Sequence, residues 1–129
     1  MSEVELIEAA RQAQKNAYAP YSEFKVGAAL LGGENKIYTG VNVENGSYGL
    51  TICAERNALA SAVNDGCIRF AKIVVFSNAS PPATPCGACR QVLAEFSQDL
   101  QVICVNNQNE INRYQLNELL PHSFKFKGE

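Results

Sequence analysis

The amino-acid sequence predicts one three-layer α/β/α domain over residues 1–129, with helices on both faces of a mixed five-stranded sheet. Three largely apolar runs, at residues 26–31, 70–76 and 100–105, are typical of strands that are buried on both faces, and the second is interrupted only by Lys72. Helical patterns precede or separate these runs, as in layered α/β domains. The chain is 47% hydrophobic and 19% charged, which suits a single domain with a substantial core.

The first half of the chain predicts a helix followed by a hairpin. Ser2 and Glu5 fit a capping box, an apolar stripe follows at positions 6, 10, 13 and 17, and Pro20 is expected to end the helix. After the apolar run at 26–31, the glycine-rich turn at 32–35 leads into residues 37–43. Apolar and polar side chains alternate there, which predicts a second strand paired with the first.

The second half predicts two helices that begin near cysteines. The first extends from Thr51, an acceptable N-cap, to about Asn64, and Gly66 is a plausible stop. The other places Pro85 in its first turn. Residues 111–116 form a last strand, and residues 119–121 end a short helical turn.

The two cysteine stretches are the strongest functional signal in the chain. Cys86 and Cys89 are three residues apart, so they share one face of a helix. Cys53 and Glu55 are two apart, and such side chains serve one site only where they reach over a helix's N-terminal end. Helix N-termini also favour thiolates, because their free N–H groups carry a partial positive charge.

Three thiolates with one open position are typical of a catalytic zinc site. Water would occupy the open position, and Glu55 would exchange protons with it. The order Cys-x-Glu followed by Pro-Cys-x-x-Cys resembles the arrangement in zinc-dependent deaminases. A Cys-x-x-Cys pair alone also occurs in redox proteins and structural zinc sites, so the leading proline and Glu55 are what favour catalysis.

Composition favours a small substrate in a reducing compartment. The net charge is −2, and no stripe of Lys and Arg offers the many phosphate contacts that polynucleotide binding requires. No apolar segment is long enough to span a bilayer. The opening residues lack the pattern of a secretory signal, and the five cysteines are expected to be reduced thiols or ligands. We therefore expect a cytoplasmic protein without membrane or nucleic-acid partners.

Five motifs, spread over nearly the whole chain, add to the functional evidence from the cysteine stretches. They are Tyr21-Ser22-x-Phe24-x-Val26-Gly27, Asn42-Val43-Glu44-Asn45-x-Ser47-Tyr48, Cys53-Ala54-Glu55-Arg56, Pro85-Cys86-Gly87-Ala88-Cys89-Arg90-Gln91 and Leu119-Leu120-Pro121-x-x-Phe124. On these motifs the chain resembles the short, homotetrameric, three-cysteine cytidine deaminases. It departs from their pattern at Gly46, where Ala is frequent, and at Thr84, where Ser is usual.

The resemblance implies a cytidine deaminase-like fold and an activity. Cytidine and deoxycytidine would be hydrolysed to uridine and deoxyuridine with release of ammonia, as a step of pyrimidine salvage. Cys53, Cys86 and Cys89 would hold Zn²⁺, and Glu55 would carry protons between water and the base.

The resemblance also assigns substrate contacts. Asn42 and Glu44 would bind the ribose hydroxyl, Phe24 would pack near the base, and Ala54 would contact the substrate. Tyr48 and Phe124 would reach into the site of a neighbouring subunit in a homotetramer.

Three questions stay open at the level of sequence. Zinc with three thiolates carries a charge of about −1, which Arg56 or, alternatively, Arg90 would offset. The substrate could instead be another cytosine-containing molecule such as blasticidin S, although Asn42 and Glu44 favour a nucleoside. Cys67 could close a purely structural zinc site, whereas Cys104 lies in an apolar run and is expected in the core.

Overall fold

A computed structural model describes residues 2–126, so Met1 and residues 127–129 of the expected domain lie outside the described residues. The elements are α1 (Glu3–Gln14), β1 (Gly27–Gly32), β2 (Ile37–Val41), α2 (Ala54–Asn64), β3 (Phe70–Ser77), α3 (Gly87–Ala94), β4 (Gln101–Asn106), β5 (Ile111–Gln115) and α4 (Leu116–Leu119). A 3₁₀ turn, Tyr48–Leu50, precedes α2. Within residues 2–126, none of the helices has the length and apolar character needed to cross a membrane.

The five strands form one mixed sheet in the order β2-β1-β3-β4-β5. Strands β3 and β4 are parallel, and the other three neighbouring pairs are antiparallel. The predicted fold class is therefore confirmed, including the number of strands and the hairpin between β1 and β2.

The three layers follow from the two-residue period of the central strands. Ala29 and Leu31 of β1 face α1, whereas Ala28 and Leu30 face α2 and α3. Helix α1 covers its side of the sheet with Leu6 and Ala10. On the opposite side, α2, α3 and α4 contribute these buried residues: Ala54, Ala58, Leu59, Ala62, Leu93, Ala94 and Leu116. Because β1, β3 and β4 are covered on both faces over most of their length, their sequences are largely apolar rather than alternating.

The register of the sheet brings the starts of α2 and α3 to one place. Gly27, the first residue of β1, pairs with Val41 of β2 on one side and with Phe76 of β3 on the other. Strands β2 and β3 therefore end at the same edge of the sheet. The segments that lead to α2 and α3 leave from that edge, which confirms the expectation that both cysteine helices begin there.

The first helix is shorter than its sequence pattern predicted. The capping box of Ser2 and Glu5 is present, but α1 ends at Gln14 rather than at Pro20. The cause is pairing with a distant segment, because Tyr18 N–H donates to the carbonyl of Asn42 at 3.0 Å and the Tyr18 carbonyl accepts from Glu44 N–H at 2.9 Å. Strand β2 similarly ends at Val41, and Val43 forms only isolated bridges, with Tyr18 and with Ile52.

Gly40 allows α2 to lie directly on β2. A Cβ atom at this position would stand 2.3 Å from Ala58 N and 2.5 Å from the carbonyl oxygen of Ala54. Both neighbours are backbone atoms of α2, so they move only if the helix moves.

We expect Gly40→Ala to lower the free energy of unfolding by at least about 1–3 kcal/mol, the usual cost of overpacking. Gly33→Ala is the matched control, because its Cβ would meet Arg69 at 3.7 Å, an ordinary contact. Urea denaturation at a fixed protein concentration measures both variants. Equal midpoints for the two would show that the close approach of α2 is not a constraint.

Candidate active site

Three cysteine sulfurs form a cluster at the sheet edge where α2 and α3 begin. The Sγ atoms of Cys53 and Cys86 are 3.7 Å apart, those of Cys86 and Cys89 are 3.5 Å apart, and all three lie within 4.8 Å of one another. Tetrahedral zinc with Zn–S bonds of about 2.3 Å separates its sulfurs by about 3.8 Å. The chemistry and spacing of the three donors therefore fit the predicted zinc ion.

Cys53 is the N-cap of α2, so the prediction of Thr51 as N-cap is wrong. Cys53 has extended backbone, with φ −75° and ψ 157°. Residue 52 is held extended because Val43 and Ile52 exchange backbone hydrogen bonds of 2.9 and 3.0 Å. Since Cys53 itself is not helical, its side chain and that of Glu55 both reach the end of the helix, as the two-residue spacing required.

Cys86 is the N-cap of α3, which places Pro85 before the helix rather than in its first turn. The Cys86 sulfur accepts a hydrogen bond from Cys89 N–H at 3.5 Å. The Cys86 side chain is thus both the N-cap of α3 and a candidate zinc ligand. The free N–H groups in the first turn of α3 point at the sulfur cluster.

The thiols of the cluster interact strongly with one another. Hydrogen bonding from Cys89, followed by that from Arg56 and Cys86, lowers the pKa of Cys53 to about 5. The same interaction with Cys53, together with burial, raises the pKa of Cys89. The close contacts of the cluster therefore favour the thiolate form at Cys53.

Glu55 is a buried carboxyl next to the cluster. It is only 4% exposed, although it lies in the first turn of α2. Burial, with a further contribution from Cys53, raises the pKa of Glu55 to about 7. A carboxyl in such surroundings gains and loses a proton near neutral pH, as a general acid–base group must.

The two candidate arginines have different partners. Arg56 Nη2 lies 3.6 Å from Cys53 Sγ and 3.5 Å from the carbonyl of Thr51, and its buried Nε has no hydrogen-bond partner within residues 2–126. Arg90 instead donates to the Pro85 carbonyl, the Leu119 carbonyl and the Thr84 hydroxyl, at 2.7, 2.8 and 3.0 Å. Arg56 is therefore the guanidinium that contacts a sulfur of the cluster, whereas Arg90 fixes the backbone at Pro85 and Leu119.

The other two cysteines lie outside the cluster. Cys67 lines a separate cavity of about 390 Å³ beyond the C-terminal end of α2, so the hypothesis that it closes a structural zinc site is wrong. Cys104 is fully buried in β4, as expected.

Asn42 and Glu44 both hold the segment that precedes β1. Asn42 is buried, accepts from Val26 N–H at 2.9 Å and donates to the Phe24 carbonyl at 2.7 Å. The Oε1 atom of Glu44 accepts from Tyr21 and Ser22 N–H at 3.0 and 3.1 Å.

The Ser22 hydroxyl donates to the other oxygen of Glu44, and this bond, the largest effect, lowers the pKa of the carboxyl. Sequence reasoning did not find this use of Ser22. Its only signal was a place in the first of the five motifs.

The predicted aromatic contacts are exposed, whereas Ala54 is not. Phe24, Tyr48 and Phe124 are 40%, 74% and 70% exposed, and the Ala54 side chain is fully buried in the core. The exposure of the whole Ala54 residue is 0%, backbone included, so its substrate contact stays a prediction. A cleft of about 250 Å³ opens beside Glu44 and Tyr48, below the roughly 300–1,000 Å³ of most ligand pockets.

Comparison with known proteins agrees with this geometry. A family model described as the cytidine and deoxycytidylate deaminase zinc-binding region matches residues 1–105. A probable cytidine deaminase of Dictyostelium discoideum is 50% identical over 119 residues, covering 92% of this chain and 80% of the relative. A cytidine deaminase of Halalkalibacterium halodurans is 48% identical over 120 residues, covering 92% of this chain and 91% of the relative.

A solved structure shares the fold closely. The crystal structure of cytidine deaminase from Burkholderia pseudomallei superposes with a TM-score of 0.93 at 48% identity, covering 96% of this chain and all of that one. These relatives do not favour blasticidin S as the substrate. By its motifs, its sulfur cluster and its relatives, the chain belongs to the cytidine and deoxycytidylate deaminase family.

Proposed function

We propose that this protein catalyses the zinc-dependent hydrolytic deamination of cytidine and deoxycytidine. The observation that carries the proposal is the sulfur cluster of Cys53, Cys86 and Cys89 with the buried Glu55 beside it. When bound by these sulfurs, zinc lowers the pKa of a coordinated water molecule towards about 7. The relatives named above as cytidine deaminases support this reaction and substrate class.

Glu55 carries the protons of the reaction. It takes a proton from the attacking water and gives it to N3 of the cytosine ring while the water oxygen adds to C4. It then passes the second water proton to the amino group, which leaves as ammonia and yields uridine. Its burial excludes bulk water from these transfers and keeps its pKa close to neutral.

Arg56 adjusts the charge of the metal site. Three thiolates give the zinc centre a net charge of about −1, which weakens its pull on water. The Arg56 guanidinium beside Cys53 offsets part of that charge and orients the sulfur.

Glu44, Asn42 and Phe24 orient the nucleoside. The Glu44 carboxylate is fixed by Tyr21 and Ser22 and still has lone pairs that accept from a ribose hydroxyl. Asn42 also binds the ribose hydroxyl. Its side chain fixes the backbone of Phe24, whose ring packs near the base. Ala54, the first residue of α2 and the neighbour of Cys53 in the chain, contacts the pyrimidine in this proposal.

The site is completed by neighbouring subunits of a homotetramer. The cleft of one chain is small, while Tyr48 and Phe124 expose most of their rings. Rings with so little packing on their own chain are available to cover a neighbour's substrate, through two-fold interfaces. We place this assembly in the cytoplasm, where thiol ligands stay reduced, and in pyrimidine salvage, without nucleic-acid or membrane partners.

The direct test is the loss of cytidine absorbance on adding purified protein, with a chelator-treated sample as control. Turnover of cytidine and deoxycytidine that the chelator abolishes is the expected result. No turnover of either nucleoside by zinc-loaded protein would refute the proposed function.

We expect Cys53→Ala, Cys86→Ala and Cys89→Ala each to lose most of the bound zinc, because each removes one of three donors. Cys67→Ser and Cys104→Ser are the matched controls and should keep both metal and turnover, since neither sulfur lies in the cluster. Metal analysis of the purified variants measures this. Full zinc content in any of the three alanine variants would remove that residue from the ligand set.

We expect Glu55→Gln to retain zinc and to lower kcat by about 10²–10⁴, the usual contribution of a positioned acid–base group. The amide still forms hydrogen bonds but cannot carry the proton. Glu95→Gln, at the exposed end of α3, makes the same chemical change away from the site and should leave kcat unaltered. Near-normal turnover by Glu55→Gln would assign proton transfer to another group.

We expect Phe124→Ala, and deletion of residues 122–129, to raise KM strongly while zinc stays in place. Residues 127–129 of that deletion lie outside the described residues. Phe126→Ala is the matched control, because Phe126 is equally exposed, at 74%, and lies two residues further on. A truncated protein that is fully active and sediments as a monomer would contradict both the role of Phe124 and the shared site.

A further inference from the structure

The Gln91 side chain binds both backbone groups of Phe124. Its Nε2 donates to the Phe124 carbonyl at 3.0 Å, and its Oε1 accepts from Phe124 N–H at 2.9 Å. This two-point contact joins positions that are 33 residues apart in the chain. We propose that Gln91 is a positioning residue that sets where the Phe124 ring stands over the substrate. The proposal rests on the deaminase function and on the role of Phe124 proposed above.

Among the described residues, Gln91 alone fixes the C-terminal tail, here residues 121–126, by hydrogen bonds. Within residues 121–126, the two bonds to Gln91 are the only hydrogen bonds that reach the rest of the described chain. Phe124 is 70% exposed as a residue, so it has little packing on its own subunit to orient it. The position of the ring therefore depends on the backbone contact with Gln91.

The same contact ties the tail to the metal ligands. Gln91 lies on α3, whose N-cap is Cys86 and whose first turn contains Cys89. Its neighbour Arg90 donates to the Leu119 carbonyl at 2.8 Å and to the Pro85 carbonyl at 2.7 Å. Helix α3 thus holds Leu119, just before the tail, through Arg90, and it holds Phe124 through Gln91.

Two substitutions at Gln91 separate the effect of its hydrogen bonds from the effect of its volume. Gln91→Met keeps similar volume but removes both hydrogen bonds, and Gln91→Glu keeps the acceptor but places a carboxylate beside the Phe124 carbonyl. Both variants should raise KM for cytidine about threefold to thirtyfold, as expected for the loss of one or two hydrogen bonds. The value of kcat should change less than about twofold, and zinc content should not change, because Gln91 contacts neither the ligands nor the base.

The kinetic test compares these variants with Gln12→Met, which alters an exposed glutamine on α1. Steady-state kinetics should show a raised KM for the two Gln91 variants and wild-type values for Gln12→Met. A double-mutant cycle then asks whether Gln91 acts through Phe124. In the Phe124→Ala background, Gln91→Met should add no further change in KM. Independent, additive effects of the two substitutions would overturn the proposal.

Hydrogen exchange tests the contact without any turnover. In wild-type protein the Phe124 amide should be protected, and Gln91→Met should remove that protection while amides of the central strands stay unchanged. Equal exchange in both proteins, or an unchanged KM in a variant of an active enzyme, would overturn the role of Gln91. A wild-type protein that binds zinc but does not deaminate cytidine would overturn the proposed function instead, and the exchange measurement would still decide the contact.

Discussion

The register of the sheet at Gly27 is the constraint on which the site depends. This residue pairs with Val41 on one side and Phe76 on the other, so β2 and β3 end together. It also lies against α1 so closely that a Cβ atom would stand 2.2 Å from the Ala10 carbonyl oxygen. A shift of one residue in either pairing would move the side chains of a strand to the opposite face of the sheet, and it would also separate the starts of α2 and α3. The same packing that buries the core therefore fixes the distance between Cys53 and the Cys86–Cys89 pair.

Two helix ends supply the electrostatics that this cluster needs. Three sulfurs in close contact repel one another once they are deprotonated, and the partial positive charge at each helix N-terminus opposes that repulsion. Arg56 adds a full positive charge beside Cys53, the sulfur with the lowered pKa. At Glu55, burial outweighs the effects of the backbone N–H and of Arg56, so the pKa of its carboxyl is raised instead. Neighbouring groups at the start of α2 thus have opposite pKa shifts, and each shift suits the group's chemical task.

Sequence patterns predicted the parts of the structure that local chemistry determines. The buried strands follow from continuous apolar runs, the start of α1 from its capping box, and the ligand set from cysteine spacing. The starts of α2 and α3 were misplaced because they depend on distant contacts. A backbone bridge from Val43 keeps Ile52 extended, and the Cys86 sulfur takes over the capping that a Ser or Thr usually provides. The end of α1 was misplaced for the same reason, since Tyr18 pairs with residues far along the chain.

Side-chain contacts that join remote segments were the least predictable part of the site. Ser22 and Gln91 stood in motifs, but nothing in their local sequence indicated that one fixes the Glu44 carboxylate and the other holds the tail. Both belong to a wider arrangement in which the rigid sheet edge holds the reacting groups and short polar contacts hold the surrounding loops. A chain of 129 residues has little material left to enclose a nucleoside after it has built its core. The two hydrogen bonds of Gln91 give the exposed Phe124 a fixed backbone position on the helix that carries Cys86 and Cys89.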